Sequence, residues 1–210
     1  MDLNVQRRSL IGVGLLSAGA WLGQQFSQGA IAQEPASGTA SSHTGGMTTL
    51  GEVNHENNGF DPNALLTEWN TGKVSTLLGG QRLREYDIAA IEREIEVAPG
   101  VFYPACTYNG QVPGPTIRAT EGDRIRIRFT NQGEHMHTLH FHGMHGARQD
   151  GIPGVLEAAP GQSVTYEFEA KPFGCHLYHC HSMPFKRHLH KGLYGAFIID
   201  PAPSQHSEND

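Results

Sequence analysis

Between about residue 90 and residue 200, apolar and polar positions alternate with a period of two. That is the pattern of strands that bury one face and wet the other. Arg124-Ile125-Arg126-Ile127-Arg128-Phe129 alternates strictly, and Ser163 to Glu169 alternates through Val164, Tyr166 and Phe168. Glu92 to Val97 is patterned around Ile91, Ile95 and Val97, and Gly195 to Ile199 is a short apolar run closed by Asp200-Pro201. Turn signals separate these segments: Asn109-Gly110, Pro113-Gly114-Pro115, Glu121-Gly122-Asp123, Pro153-Gly154 and Pro160-Gly161. Seven or more short strands in about 115 residues, with no βαβ rhythm, predict an all-β chain folded as one β-sandwich or barrel over residues 86–201.

The pattern differs before that domain. Arg7-Arg8, the apolar run from Leu10 to Trp21 and Ala30-Ile31-Ala32 read as an export signal over residues 1–32. The paired arginines are compatible with the twin-arginine type as well as an ordinary signal. The chain is therefore expected to be exported, to periplasm, cell envelope or medium, with no membrane association after cleavage. Residues 33–59 are rich in Ser, Thr, Gly, Ala and Asn and bury too little to fold, which predicts a flexible segment. Residues 60–85, with Leu65, Leu66, Trp69, Val74, Leu77 and Leu78, read as an ordered extension, a short helix and then a turn. Residues 202–210 form a C-terminal tail.

Composition narrows the function. The net charge is −6 with no compensating cluster of Lys and Arg, which argues against a nucleic-acid partner. Three cysteines cannot build a disulfide scaffold, although export permits one bridge, between Cys106 and Cys175. The unusual feature is histidine. Of 13 histidines, ten lie between His135 and His190.

Strand alternation divides them. In His137-Thr138-Leu139-His140-Phe141-His142, His140 and His142 share a face and His137 points away. In His179-Cys180-His181 the two rings share one side and the thiol takes the other. Two metal centres on opposite sides, joined through Cys180, follow. Cys180, His137 and a loop histidine give one thiolate and two imidazoles, the donor set of a blue-copper electron-transfer site. His188 is the preferred loop ligand, with His190 as its rival. Leu193, five residues on, would take the axial place, with Met183 as its rival. A structural zinc site closes with four ligands, fewer than the candidates here. His135, His145 and His176 are extras: His176 reads as a packing residue, and His145 could line a solvent path near Asp150. Lys186-Arg187 reads as a solvated pair or a docking spot for an acidic donor.

These motifs, with Tyr108-Asn-Gly-Gln-Val-Pro-Gly-Pro-Thr-Ile117, resemble those of the multicopper oxidase family over roughly residues 86–201. The resemblance implies a Greek-key β-sandwich of the cupredoxin type. It implies His137, Cys180 and His188 at a type 1 copper, with Leu193 at the axial position. It also implies His140 at a type 2 copper, and His142, His179 and His181 at a type 3 pair. Asp150-Gly151 resembles the acidic position that delivers protons to the trinuclear cluster. The eight-residue step from Cys180 to His188 is similar instead to the loop of copper nitrite reductases, which have Asp where His140 stands and lack the second His of His-Cys-His.

One domain carries half of the family's trinuclear ligand set, so a homo-oligomer is expected to complete the cluster between subunits. The function expected is laccase-like: one-electron oxidation of an external reductant coupled to reduction of dioxygen to water. The alternatives are a blue-copper electron carrier without catalysis and a nitrite-reductase-like enzyme. The carrier leaves His140, His142, His179 and His181 without a role, although crowded imidazoles are costly when charged or unpaired.

Overall fold

The computed structural model describes residues 51–203. The expected export signal, most of the low-complexity segment and residues 204–210 of the tail lie outside the described residues. Among those described, no helix is long and apolar enough to cross a membrane.

Among the described residues nine strands make two sheets: β1 (Lys73–Thr76), β2 (Arg82–Ala98), β3 (Val101–Tyr108), β4 (Ile117–Thr120), β5 (Arg124–Asn131), β6 (His140–Phe141), β7 (Ser163–Glu169), β8 (Gly174–His179) and β9 (Tyr194–Asp200). In the first sheet, β2 pairs with β1, β3 and β5, and β5 pairs with β7. The second runs β4-β9-β8-β6. Strands distant in sequence become neighbours in both, as the expected Greek-key sandwich requires. The inner faces meet in one apolar core, where Ile88, Ile127 and Phe129 of the first sheet join Phe141, Tyr178 and Phe197 of the second.

β5 shows why the alternation is legible. Ile125, Ile127 and Phe129 are fully buried. Arg124 and Arg126 pair with Glu167, and Arg128 with Asp87, on the opposite face. Such exposed pairs add about 0–1 kcal/mol each, so burial dominates.

The described end of the low-complexity segment, residues 51–59, is more ordered than its composition suggests. From Asn54 the chain makes a turn of helix, α1 (His55–Asn58), whose backbone N–H groups are capped by the Asn54 side chain. Asn58 is buried because its side-chain amide bonds both backbone groups of Glu96, at 2.9 and 2.7 Å. A polar residue here orders the segment by imitating a strand partner, which hydrophobicity patterns cannot register. The following extension contains a 3₁₀ turn (Ala64–Leu66) and β1. Leu83 is already a buried residue of β2. Cys106 and Cys175 are both free, one buried on β3 and the other exposed on β8, so the permitted disulfide is not formed.

Candidate metal centre

The histidine-bearing backbone is pinned from inside the core. The buried Tyr108 hydroxyl donates to the Thr138 carbonyl at 2.7 Å. The Tyr166 hydroxyl accepts from the Leu139 N–H at 3.0 Å and donates to the Leu156 carbonyl at 2.7 Å. His137 exchanges both backbone hydrogen bonds with Ala158. β6 then sets His140 opposite His179 and Phe141 opposite Tyr178. Phe141 enters the ring cluster, and its neighbour His140 faces away from it.

His137, Cys180 and His188 come together as three buried donors. Cys180 Sγ lies 3.6 Å from His137 Nδ1 and 3.4 Å from His188 Nδ1. A metal about 2.3 Å from sulfur and about 2.0 Å from each nitrogen places donors roughly 3.5–3.8 Å apart, so the set fits a copper ion. The α-helix α2 (Phe185–His190) presents His188 inward, and its other rival, His190, is exposed. Leu193 is fully buried; its carbonyl accepts from Cys180 N–H and its N–H bonds the His188 carbonyl. Met183 is exposed.

Burial governs the ionisation of this set. It lowers the His137 pKa to about 4, aided by His188, and holds His188 below its ordinary value. Both rings are therefore neutral, as ligands must be. Burial raises the Cys180 thiol against the donors Thr138 and Ser182, so a metal must displace its proton.

The copper-free protein should lose stability in mild acid. Above pH 6.5 His137 is neutral both folded and unfolded, whereas between 6.5 and 4 only the unfolded ring takes up a proton. Stability is therefore lost as pH falls through that window, by about 3 kcal/mol for this ring. His142, His179 and His188, also lowered mainly by burial, act in the same direction. Thermal unfolding across that pH range checks the slope.

On the other side, His140, His142 and His179 form a second group of ring nitrogens. His181 joins it, its ring centroid 5.0 Å from that of His140. The His179 Nδ1–H donates to the Cys180 carbonyl at 2.9 Å, which leaves Nε2 as the donor atom. That Nε2 lies 2.8 Å from His142 Nε2. Two ligands at right angles about 2.0 Å from one metal stand about 2.8 Å apart, so this pair also fits. His181 Nδ1 is buried with no hydrogen-bond partner. Thr138 joins the two sides: its hydroxyl accepts from His181 N–H at 2.8 Å and lies 3.9 Å from Cys180 Sγ.

Asp150 is at the rim of this second group. His140 Nδ1 donates to the Asp150 carbonyl at 2.6 Å and lies 3.2 Å from its carboxylate. The ring is oriented through Nδ1, which frees Nε2 for a metal. Gly151 makes this approach possible. Its φ is +60°, and an added Cβ would fall 1.9 Å from the Leu139 carbonyl oxygen. Gly151→Ala is therefore expected to push the Asp150 loop off His140 and to destabilise the fold by about 2–3 kcal/mol. Denaturant unfolding measures the loss.

Of the extras, the His176 ring lies between two carbonyl oxygens, 2.9 Å from that of Pro172 and 3.2 Å from that of His142, and its N–H donates to one of them, a packing role. His145 Nε2 lies 2.6 Å from the Phe141 carbonyl and its Nδ1 3.1 Å from that of Gly146, with one N–H to donate, and its ring lies beside Asp150. Sequence reasoning missed Glu92. From β2 its carboxylate accepts from His135 Nδ1 at 2.8 Å and from Glu134 N–H at 3.1 Å. Burial opposes its ionisation, but these hydrogen bonds prevail and keep its pKa low.

A multicopper oxidase family model matches residues 91–204. The chain belongs to the multicopper oxidase family. Laccase-2 of Botryotinia fuckeliana is 38% identical over 133 residues, which is 60% of this chain and 22% of that protein. A copper-containing nitrite reductase of Neisseria meningitidis is 34% identical over 113 residues, 53% of this chain and 29% of its own. The chain thus spans less than a third of the length of either curated relative. A crystal structure of a multicopper oxidase superposes with a TM-score of 0.71 at 51% identity, covering 76% of this chain and 56% of the other. The two-sheet architecture is accordingly the cupredoxin-like sandwich of this family.

Proposed function

We propose that this member of the multicopper oxidase family is an exported copper oxidoreductase that oxidises an external reductant one electron at a time and reduces dioxygen to water. One observation carries the reading. Cys180 contributes its thiol to one donor group while its chain neighbours His179 and His181 contribute rings to the other. When bound in the two groups, copper would supply the one-electron chemistry and a place for dioxygen. The protein's part would be to hold a type 1 ion with His137, Cys180 and His188, beside the buried Leu193. His140 would hold a type 2 ion, and His142, His179 and His181 a type 3 pair. The covalent step from Cys180 to its neighbours gives electrons a short path. Four such electrons and four protons convert one dioxygen to two waters. Asp150, partly exposed and hydrogen-bonded to His140, is placed to pass protons inward.

His142 is exposed, so the second group opens outward. We assign the remaining ligands to a second copy of this chain, which makes the trinuclear cluster an inter-subunit site. The test combines oligomer mass, copper per chain and dioxygen uptake with a phenolic reductant. An oligomer with more than one copper per chain and measurable uptake is expected. One copper per monomer without uptake returns the protein to the carrier class. The eight-residue Cys180–His188 step and the nitrite reductase relative favour nitrite as a second acceptor to assay, although His140 and His181 depart from that type.

A further inference from the structure

The mechanism above leaves the far nitrogen of the buried His137 ring without a role. Its Nδ1 faces Cys180, and its Nε2 is buried with no hydrogen-bond partner. A ring bound to copper through Nδ1 carries its proton on Nε2, and a buried N–H needs an acceptor. The carboxylate of Glu92 faces it, with Oε1 3.7 Å from Nε2. The same oxygen already accepts from His135 Nδ1 and Glu134 N–H, so its position is fixed by the β5–β6 connection. Room for the contact comes from Gly133. A Cβ there would stand 3.1 Å from Glu92 Oε1 and 3.2 Å from His137 Nε2.

From this arrangement we infer that Glu92 is a positioning residue for the type 1 copper. Its carboxylate closes the 3.7 Å separation, accepts a hydrogen bond from His137 Nε2–H and fixes the ring, making the imidazole a stronger donor. Carboxylate–histidine–metal triads raise ligand basicity in this way, and losing the outer partner typically costs about 10–100-fold in metal affinity. A stronger donor favours Cu(II) over Cu(I), so Glu92 holds the potential of the site down. The inference rests on His137 being a copper ligand, and the experiment separates the two.

The copper-loaded full chain is compared with Glu92→Gln and Gly133→Ala. The readouts are the absorption spectrum, the reduction potential of the thiolate-bound copper and the melting temperature. Gln keeps an acceptor oxygen for His135 and Glu134 but removes the charge. Ala at position 133 keeps the charge but wedges a methyl into the contact. Both variants are expected to stay coloured and to shift the potential upward. A tenfold relative loss of Cu(II) affinity corresponds to about 59 mV for a one-electron couple. Glu92→Asp, which withdraws the carboxylate by one methylene, is a further variant if either fails to fold. Variants that are coloured and melt lower at an unchanged potential would make Glu92 a merely structural residue and overturn the inference. A wild-type chain that takes up copper without thiolate colour would overturn the ligand reading itself.

Discussion

Cys180→Ser leaves a folded chain that has lost its thiolate-to-copper colour and consumes dioxygen only at background. The effect is large because Sγ is the one soft donor of its group and lies within 3.6 Å of Nδ1 of both His137 and His188. A hydroxyl of similar shape is a poor ligand for either oxidation state of copper. The other two cysteines cannot replace it: Cys106 sits on β3 and Cys175 on the far part of β8. The fold itself suffers little. The side chain is fully buried, but Thr138 and Ser182 remain as hydrogen-bond partners for the new oxygen. A cost of about 1–2 kcal/mol is expected. Absorption, oxygen uptake and thermal unfolding on one preparation check all three statements. Retained colour would place the copper elsewhere.

His140→Ala combined with His142→Ala gives the complementary result. Colour and the type 1 potential persist, while copper per chain falls and dioxygen uptake drops to background. Both rings belong to the second group, and neither is among the three donors around Cys180. His142 is exposed and His140 only partly buried, so truncation opens no large cavity. An electron carrier would be indifferent to this change, and that contrast separates it from an oxidase. Uptake that survives the double substitution would remove the second group from catalysis.

The sequence foretold the two faces better than the backbone that creates them. Alternation separates His140 and His142 from His137, and the rings do fall into two groups. Yet β6 is only two residues long and β8 stops at His179. Cys180 and His181 keep their opposite sides because Cys180 N–H bonds the Leu193 carbonyl and His181 N–H bonds Thr138. Those partners are remote in sequence and carry no periodic signal. β2 was readable only in part. Its 17 residues pair with three strands, and its register shifts between Glu96 and Ala98, so no single alternation runs its length. Glu92 escaped for a related reason: on a strand over forty residues before His137, it looks like any polar outward position.

The tyrosine hydroxyls beneath Thr138 and Leu139 bear on the order of events during biogenesis. The hydrogen bonds that hold the histidine-bearing backbone come from protein groups in the core. Metal-dependent domains such as zinc fingers gain their folding free energy from the ion, so folding and loading are one event. Here the supports belong to the sandwich, so the backbone around the histidines is held without an ion. Copper is then expected to enter a chain that has already folded, so the apoprotein should keep its sandwich and take up the ion afterwards.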